Sequence, residues 1–155
     1  MKTLRLIGMA LMAVLLNMSF SACSDDDDDE NSGIGNKESL YGTWQVTHVE
    51  GWEKVNGRIV EQWAFDATSE NYDEFDYARI EFVAGGSCNT YDWDGRKNMA
   101  IGYAVNGNKI VFDYGYGDED ECTVKSLSAT QLVIEYNDID EVSEGYEKQT
   151  FRKVN

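Results

Sequence analysis

The sequence predicts an all-β domain, a small antiparallel up-and-down barrel of about eight strands. Short segments in which apolar and polar residues alternate recur along the chain after residue 40. Gly, Asn, Asp and Ser form the turns between them, since the chain has no proline. Short consecutive strands joined by tight turns form a meander, and about eight strands suffice to close one and remove its free edges. An open sheet or a sandwich of the same strands is the alternative.

The first half of the domain contains three predicted strands. Asn56-Gly57 is a hairpin signal, from which residues 59–65 return as a weaker second strand. Residues 79–83 predict the third strand, and Gly85-Gly86 ends it. We expect residues 88–97 to form a loop. On the first strand, alternate residues predict one buried face, with the single histidine as a core residue: Trp44, Val46, His48 and Trp52.

The second half contains five predicted strands joined by turns and acidic loops. Val124 and Leu127 break the alternation of their strand, which indicates a bulge or bend. The pattern of the last strand does not show which of its side chains point into the barrel. The predicted strands are residues 98–105, 110–114, 122–127, 132–136 and 146–154.

The chain begins with the features of an export signal. Lys2 and Arg5 precede an apolar run at residues 6–16, and small residues follow it. The run is too short for a membrane-spanning helix, which needs about 20 apolar residues. We therefore predict cleavage after residue 22, directly before Cys23.

The residues around Cys23 resemble a known bacterial signal. Phe20-Ser21-Ala22-Cys23 resembles a lipobox, with Phe20 where that motif usually has leucine. The resemblance implies a lipid on Cys23; ordinary secretion with a spare thiol is the alternative. The acidic run at residues 24–30 resembles the signal that sends lipoproteins of Bacteroides-like bacteria to the cell surface. It implies a lipid-anchored outer-membrane protein exposed at the surface, although a solvated acidic linker is the simpler interpretation.

These features divide the chain into three parts. We predict a signal peptide at residues 1–22, a lipidated acidic linker at 23–39 and one barrel domain at 40–155. The net charge of −16 argues against nucleic-acid binding, which depends on Lys and Arg meeting phosphate. We expect a monomer attached to the membrane only through its lipid.

No motif for catalysis is found in the sequence. With one histidine, His48, the chain lacks a histidine-cluster zinc site, and a Ser-His-acid triad would depend on that residue. Neither a phosphate-binding loop nor a dinucleotide fingerprint is present. No carboxylate pair lies in an apolar setting that would raise one pKa. The sequence therefore predicts no cofactor, with a calcium ion as the alternative. It also predicts no enzyme, and acid–base chemistry on a glycan by paired carboxylates is the third hypothesis after the two binding functions.

Gly42-Thr43-Trp44 on the first strand resembles the Gly-x-Trp signature of lipocalins. In that family the tryptophan closes one end of the barrel and an arginine of the last strand packs across it. The resemblance, which spans about residues 40–154, assigns these roles to Trp44 and Arg152. It implies a binding module for a small apolar ligand.

The inward side chains could line a pocket or fill a core, and the pattern leaves both interpretations open. The predicted inward set is Trp44, Val46, Ile80, Phe82, Met99, Ile101, Tyr103, Phe112, Tyr114, Leu132 and Ile134. Its candidates for lining a ligand pocket are Phe82, Ile101, Tyr103, Phe112, Tyr114 and Ile134.

Successive strands of an up-and-down barrel run in opposite directions, so every second loop lies at the same end. Four loops are therefore predicted at the end opposite the linker, at residues 53–57, 86–97, 115–121 and 137–145. Cys88 and Cys122 are predicted to meet at the same end, where a disulfide would stabilise the domain by a few kcal/mol. Two free buried thiols are the alternative.

This acidic end has three interpretations. It is a solvated rim without a ligand, a calcium site suggested by Asp92-x-Asp94-Gly95, or a glycan-binding or adhesion surface. The third interpretation, the alternative to apolar ligand binding, uses aromatic rings for stacking on a sugar and carboxylates as hydroxyl acceptors. The candidates are Tyr91, Asp92, Trp93, Asp94, Asp118 and Asp120.

Overall fold

The computed structural model describes residues 34, 36–71 and 77–154. The predicted leader, Cys23 and most of the acidic linker lie outside the described residues. A short 3₁₀ helix, Lys37–Leu40, precedes nine antiparallel strands. The strands are β1 (Gly42–Val55), β2 (Arg58–Asp66), β3 (Arg79–Val83), β4 (Ser87–Tyr91), β5 (Lys97–Asn106), β6 (Lys109–Gly115), β7 (Asp118–Leu127), β8 (Gln131–Ile139) and β9 (Ser143–Val154).

Eight of these strands close a barrel, as the sequence predicts. Strands β3 to β9 pair in chain order, and β1 joins the two ends of this series by pairing with both β3 and β9. At 14 residues, β1 is long enough to hold two partners on one edge. Its first residues, Gly42 to Gln45, pair with β3, and its second part, from His48 to Val55, pairs with β2. Strands β2 and β3 therefore run in the same direction and share one position beside β1.

The strand β4 corrects the prediction of a loop at residues 88–97. Gly85 and Gly86 have φ values of 96° and 85°, a region that other residues rarely adopt, so the chain reverses within the turn 84–86. It returns as β4, in which Cys88 and Thr90 are buried. The turn 84–86 consequently lies at the end where β1 begins, here called the lower end. The turns 56–57, 92–96, 116–117 and 140–142 lie at the opposite, upper end, as predicted, but they are shorter than the predicted loops. Residues 53–55, 118–121, 137–139 and 143–145, predicted as loop, belong to the strands on either side.

A bulge in β1 corrects the predicted position of His48. The register of β1 against β9 shifts between Val46 and His48, and such an extra residue exchanges the two faces of a strand. The buried face therefore continues at Val49 and Gly51. His48 lies outside the barrel, with its Nδ1 atom 2.8 Å from Asp66 Oδ1.

The same bulge puts the predicted core residue Trp52 on the outer surface, where its ring stacks on Tyr146. Met99, also predicted to point inward, is 47% exposed. The predicted bulge near the end of β7 is confirmed, since its pairing with β8 shifts between Val124 and Ser126.

The lower half of the barrel interior is filled. Phe82 packs against Phe112, with ring centroids 6.2 Å apart. Most inward side chains here are at most 2% exposed, so this half is the hydrophobic core of the domain. Its largest members are Leu40, Trp44, Ile80, Phe82, Ile110, Phe112, Leu132, Ile134 and Phe151.

Trp44 closes the lower end, but its cationic partner differs from the prediction. Its indole Nε1 donates to the Leu40 carbonyl at 2.7 Å, which ties the 3₁₀ helix beneath the barrel. Lys153, not Arg152, packs on the ring, with Nζ 4.9 Å from the centroid. The reason is register: Lys153 pairs with Trp44, while Arg152 pairs with Gln45 on the outer face and donates to its side-chain oxygen.

Among the described residues, no helix has the length and hydrophobicity needed to cross a membrane.

Candidate functional site

The predicted lining residues fall into two groups. Phe82, Ile101, Phe112 and Ile134 are buried in the packed lower core, so they fill the barrel rather than line a space. Tyr103 and Tyr114 are only partly buried and pack against the edge of this core. Of the two interpretations of the inward set, filling applies to the lower half.

The upper half of the interior differs from the lower half, because its inward side chains are only partly buried. Strand register identifies these inward side chains. Each lies on the same face of its strand as a core residue, or it pairs with an inward-facing residue of the adjacent strand. We call this region the upper interior. Around the glycine Gly51, it comprises Trp63, Phe65, Tyr77, Tyr114, Asp120, Tyr136, Glu147 and Gln149.

Trp63 forms one wall of the upper interior, and Gly51 makes room for it. The two residues pair directly across β1 and β2. A Cβ atom at position 51 would lie 2.4 Å from Trp63 Cζ2 and 2.5 Å from the Tyr146 carbonyl oxygen. Such distances do not occur between real atoms, so the indole lies against the bare backbone of Gly51 and presents an aromatic surface to the interior.

Tyr77 forms the floor of the upper interior. Its ring stacks on Phe151 of the lower core, with centroids 6.4 Å apart and planes 16° from parallel. Its hydroxyl donates to Gln149 Oε1 at 3.2 Å. The boundary between the packed lower half and the partly buried upper half of the barrel is therefore an aromatic ring that carries a polar group.

A chain of hydrogen bonds runs upward from this floor. The Tyr77 hydroxyl donates to Gln149 Oε1, and Gln149 Nε2 donates to Glu147 Oε1 at 2.6 Å. Both donors thus point the same way, toward the carboxylate of Glu147.

Burial keeps Tyr77 and Tyr136 neutral. It is the main cause that raises the pKa of both Tyr77 and Tyr136 well above 10.0, because a phenolate would lose its hydration here. At physiological pH both therefore act as neutral hydroxyls. An apolar surface with a few fixed polar groups is the usual lining of a small-molecule site.

The predicted disulfide is not formed. Cys88 and Cys122 are both free and buried in the structure. Cys88 pairs with Ile101 near the start of β4, in the lower half rather than at the upper end, and Cys122 pairs with Ile110 in the interior of β7. Burial raises the pKa of each thiol to about 12, so neither is a reactive thiolate at neutral pH.

The aromatic residues predicted for sugar stacking are not an open platform. Tyr91 and Trp93 are each partly buried. The Tyr91 hydroxyl donates to Glu81 Oε2 at 2.6 Å, and Trp93 Nε1 is buried without a hydrogen-bond partner among the described residues. The loop 92–96 instead borders an outer hollow of about 250 Å³, which is lined by Thr43, Arg79, Tyr91, Gly95 and Val154.

The acidic candidates have separate positions. Asp92 caps its own loop, since its Oδ1 accepts from the backbone N–H of Arg96 at 2.7 Å, while Asp94 is exposed. Asp118 lies at the start of β7, and Asp120 pairs with Phe112 inside the barrel. Within the described part of the chain, no three His, Cys, Asp or Glu residues are grouped to hold a metal ion. Calcium binding stays a prediction.

Sequence reasoning missed most of the upper interior. Trp63, Glu147 and Gln149 lie on the weak second strand and on the last strand, whose facing the pattern did not settle. Tyr136 was assigned to a strand without a role. Tyr77 lies in the segment before β3, which carries no periodicity. The alternation of Glu147, Gln149 and Phe151 was the available signal.

A family model for lipocalin-like domains matches residues 40–134. The chain belongs to the lipocalin-like family. The matched segment contains β1 to β7 and the first part of β8, while β9 completes the lipocalin-like barrel by pairing with β1. The sequence signature at Gly42-Thr43-Trp44 therefore indicated the correct family.

Solved structures similar to this lipocalin-like chain include bovine odorant-binding protein. Its complex with undecanal is 16% identical, with a TM-score of 0.45, covering 84% of this chain and 78% of the other. Its complex with its natural ligand is 17% identical, with a TM-score of 0.43 and the same coverage. No protein with a curated description matches the chain.

Proposed function

We propose that this protein binds a small apolar ligand in the upper interior of its barrel. The observation that carries the proposal is the contrast between the two halves. The lower half is packed, whereas the upper half is lined by partly buried aromatic rings and contains one ordered chain of polar groups. A ligand body would pack against Trp63, Phe65 and Tyr114, whose side chains are only partly buried.

Family membership supports a binding role rather than catalysis. Lipocalin-like domains are ligand binders, and a closed barrel whose upper interior is less buried than its lower core suits this function. The glycan-binding alternative has less support, because Tyr91 and Trp93 are partly buried and the Tyr91 hydroxyl is already bonded to Glu81.

We also propose that the protein is a lipoprotein, anchored through Cys23 to the bacterial outer membrane and exposed at the cell surface. The lipobox-like sequence and the following acidic run support this proposal. The chain reaches the barrel at its lower end, where the Ile34 N–H donates to the Gly107 carbonyl at 2.9 Å. An anchor on that side would leave the upper interior facing away from the membrane.

Ligand binding is tested with a fluorescent apolar probe, N-phenylnaphthylamine, on the chain beginning at Ser24. We expect saturable binding of about one probe per barrel, with displacement by decanol. Tyr114→Ala should weaken binding about tenfold, since the probe loses one aromatic contact surface. Tyr146→Ala, which removes a tyrosine from the outer surface, should leave binding unchanged. Equal effects of the two variants, or no saturable binding, would contradict the proposal.

The anchor is tested by Cys23→Ser in a bacterial host that processes lipoproteins. We expect the unaltered protein in the membrane fraction, with lipid mass on its N-terminal peptide, because acyl chains on Cys23 would hold it there. The variant should lose both properties. Ser24→Ala, the neighbouring control, should keep them. Membrane association of the Cys23→Ser variant would show that the anchor lies elsewhere.

A further inference from the structure

A second candidate site lies on the outer surface of the barrel, at the hollow of about 250 Å³ that the loop 92–96 borders. We call it the outer hollow. Its lining residues come from four strands and this loop: Thr43, Arg79, Tyr91, Gly95 and Val154. Trp44 and Ile80, the chain neighbours of two of them, point into the core, so the lining residues face outward. The barrel wall therefore separates the outer hollow from the upper interior.

Arg79 is the cation that lines the outer hollow, and it has no counter-ion. Its side chain is only partly exposed. Among the described residues, its one hydrogen bond runs from Nη2 to the Trp93 carbonyl oxygen at a long 3.5 Å, and no described ion pair includes it. A guanidinium has five N–H donors and stays charged at physiological pH. Since a cation that has lost part of its hydration is normally compensated by an anion, Arg79 indicates an anionic ligand.

The carboxylates near this guanidinium are bonded to other groups or lie in solvent. Glu81, on the same face of β3, accepts from the Tyr91 hydroxyl and the Asn89 amide through its Oε2 atom. These bonds, that from Tyr91 most of all, hold the pKa of the Glu81 carboxyl below its usual range. Asp92 accepts from a backbone N–H of its own loop, and Asp94 is exposed without a described ion pair. The protein therefore supplies no carboxylate to Arg79.

Two more cations lie on either side of Arg79. Strand register puts five residues in one row across β9, β1, β3, β4 and β5: Arg152, Gln45, Arg79, Tyr91 and Lys97. Arg152 and Lys97 are each two strands from Arg79, about 10 Å at the usual spacing of strands. Neither is in an ion pair among the described residues. The row makes the potential at the outer hollow more positive than the net charge of −16 suggests.

We infer that the outer hollow binds a small ligand through an oxyanion group, a carboxylate, phosphate or sulfate. The Arg79 guanidinium holds two of its oxygens through parallel N–H donors, the geometry that fits such groups. The hydroxyl of Thr43 is a further donor in the lining. Lys97 and Arg152 attract the anion toward the hollow. This site is additional to the apolar site in the upper interior and does not depend on it.

Three small anions test the inference: malonate, phosphate and sulfate. Each is titrated by calorimetry against the chain beginning at Ser24 at neutral pH, with ionic strength held constant by sodium chloride so that general screening does not change. We expect saturable binding at one site, with a dissociation constant of about 1 mM for the best anion. The order of the three identifies the oxyanion group. In the unaltered protein, the backbone amide signals of Gly95 and Val154 should shift with the same dissociation constant.

A matched set of variants assigns the binding to Arg79. Arg79→Gln should weaken the best anion at least tenfold, and Arg79→Lys, which keeps the charge but not the two parallel donors, about threefold. Arg58→Gln removes the same charge from an exposed arginine at the start of β2, outside the outer hollow, and should leave binding unchanged. Thermal melts check that each variant is folded. The apolar probe should bind Arg79→Gln as it binds the unaltered protein, because the upper interior lies behind the barrel wall.

The outcomes separate this site from the proposed function. If no anion binds at constant ionic strength, or if the amide shifts lie away from the outer hollow, the inference is wrong. An equal loss in Arg79→Gln and Arg58→Gln would also overturn it, since only the overall charge would then act. Failure of the apolar probe alone would contradict the proposed function and leave the anion site standing.

Discussion

Replacing Gly51 with alanine is expected to destabilise the barrel by about 2–4 kcal/mol, a large effect for adding one methyl group. The added Cβ would lie 2.4 Å from the Trp63 ring and 2.5 Å from the Tyr146 carbonyl oxygen. The ring must move away from Gly51, and the carbonyl belongs to β9, the long partner of β1. Both strands must shift, and with them the wall that we propose as the ligand surface.

Chemical denaturation gives the free energy of unfolding of Gly51→Ala, and the fluorescence of the tryptophans reports the displacement of Trp63. Gly145→Ala is the matched control. It lies on β9 in the same upper half, and its added Cβ would meet the Asp138 Cβ at 3.7 Å and the Asp138 carbonyl oxygen at 3.9 Å, both ordinary contacts. We expect the control to change stability by less than about 0.5 kcal/mol. Equal stability of the two variants would show that Trp63 does not lie over Gly51.

The parts of the fold predicted correctly from sequence are those set by local chemistry. Asn56-Gly57 forms the predicted hairpin because these residues adopt the positive φ values that its tight turn needs, at 51° and 74°. Strict alternation through Ile110 and Phe112 identified β6 and its buried face. Gly42-Thr43-Trp44 identified both the family and the residue that closes the lower end.

The errors arise where long-range pairing determines the outcome. His48 was assigned to the core because the alternation of β1 was extended through a bulge, and that bulge depends on pairing with β9, about 100 residues away. The sequence pattern does not reveal β4, because this strand has only five residues and most of them are polar. Its pairing with β3 and β5 is what defines it as a strand.

The candidate site was harder to predict for the same reason. The chain from Tyr77 to Glu147 joins residues from the segment before β3 and from β9. Neither of these segments contains a motif by itself, and their side chains meet only after the barrel closes. The disulfide prediction depended on placing Cys88 at the upper end, which the missed strand made wrong.

Trp44→Ala is expected to have the largest effect on stability at the lower end, a loss of about 3–5 kcal/mol. Trp44 is fully buried, and its indole holds the 3₁₀ helix through the Leu40 carbonyl. The substitution leaves a cavity and also removes the hydrogen bond that holds the 3₁₀ helix. Because a domain of this size is stabilised by only about 5–15 kcal/mol, this variant will be close to unfolding, and its melting temperature is the first measurement.

The cation on Trp44 is tested by a milder pair of variants, so that the result does not depend on a nearly unfolded protein. Lys153→Ala removes the amino group 4.9 Å from the Trp44 ring and the methylene chain that covers it, and should cost about 1 kcal/mol. Arg152→Ala removes an exposed side chain bonded to Gln45 and should cost less than about 0.5 kcal/mol. In a Trp44→Phe background, which loses the larger ring, the cost of Lys153→Ala should fall while that of Arg152→Ala stays the same. The reverse order would restore Arg152 as the residue that packs on Trp44, because only the residue in contact with the ring can be coupled to it.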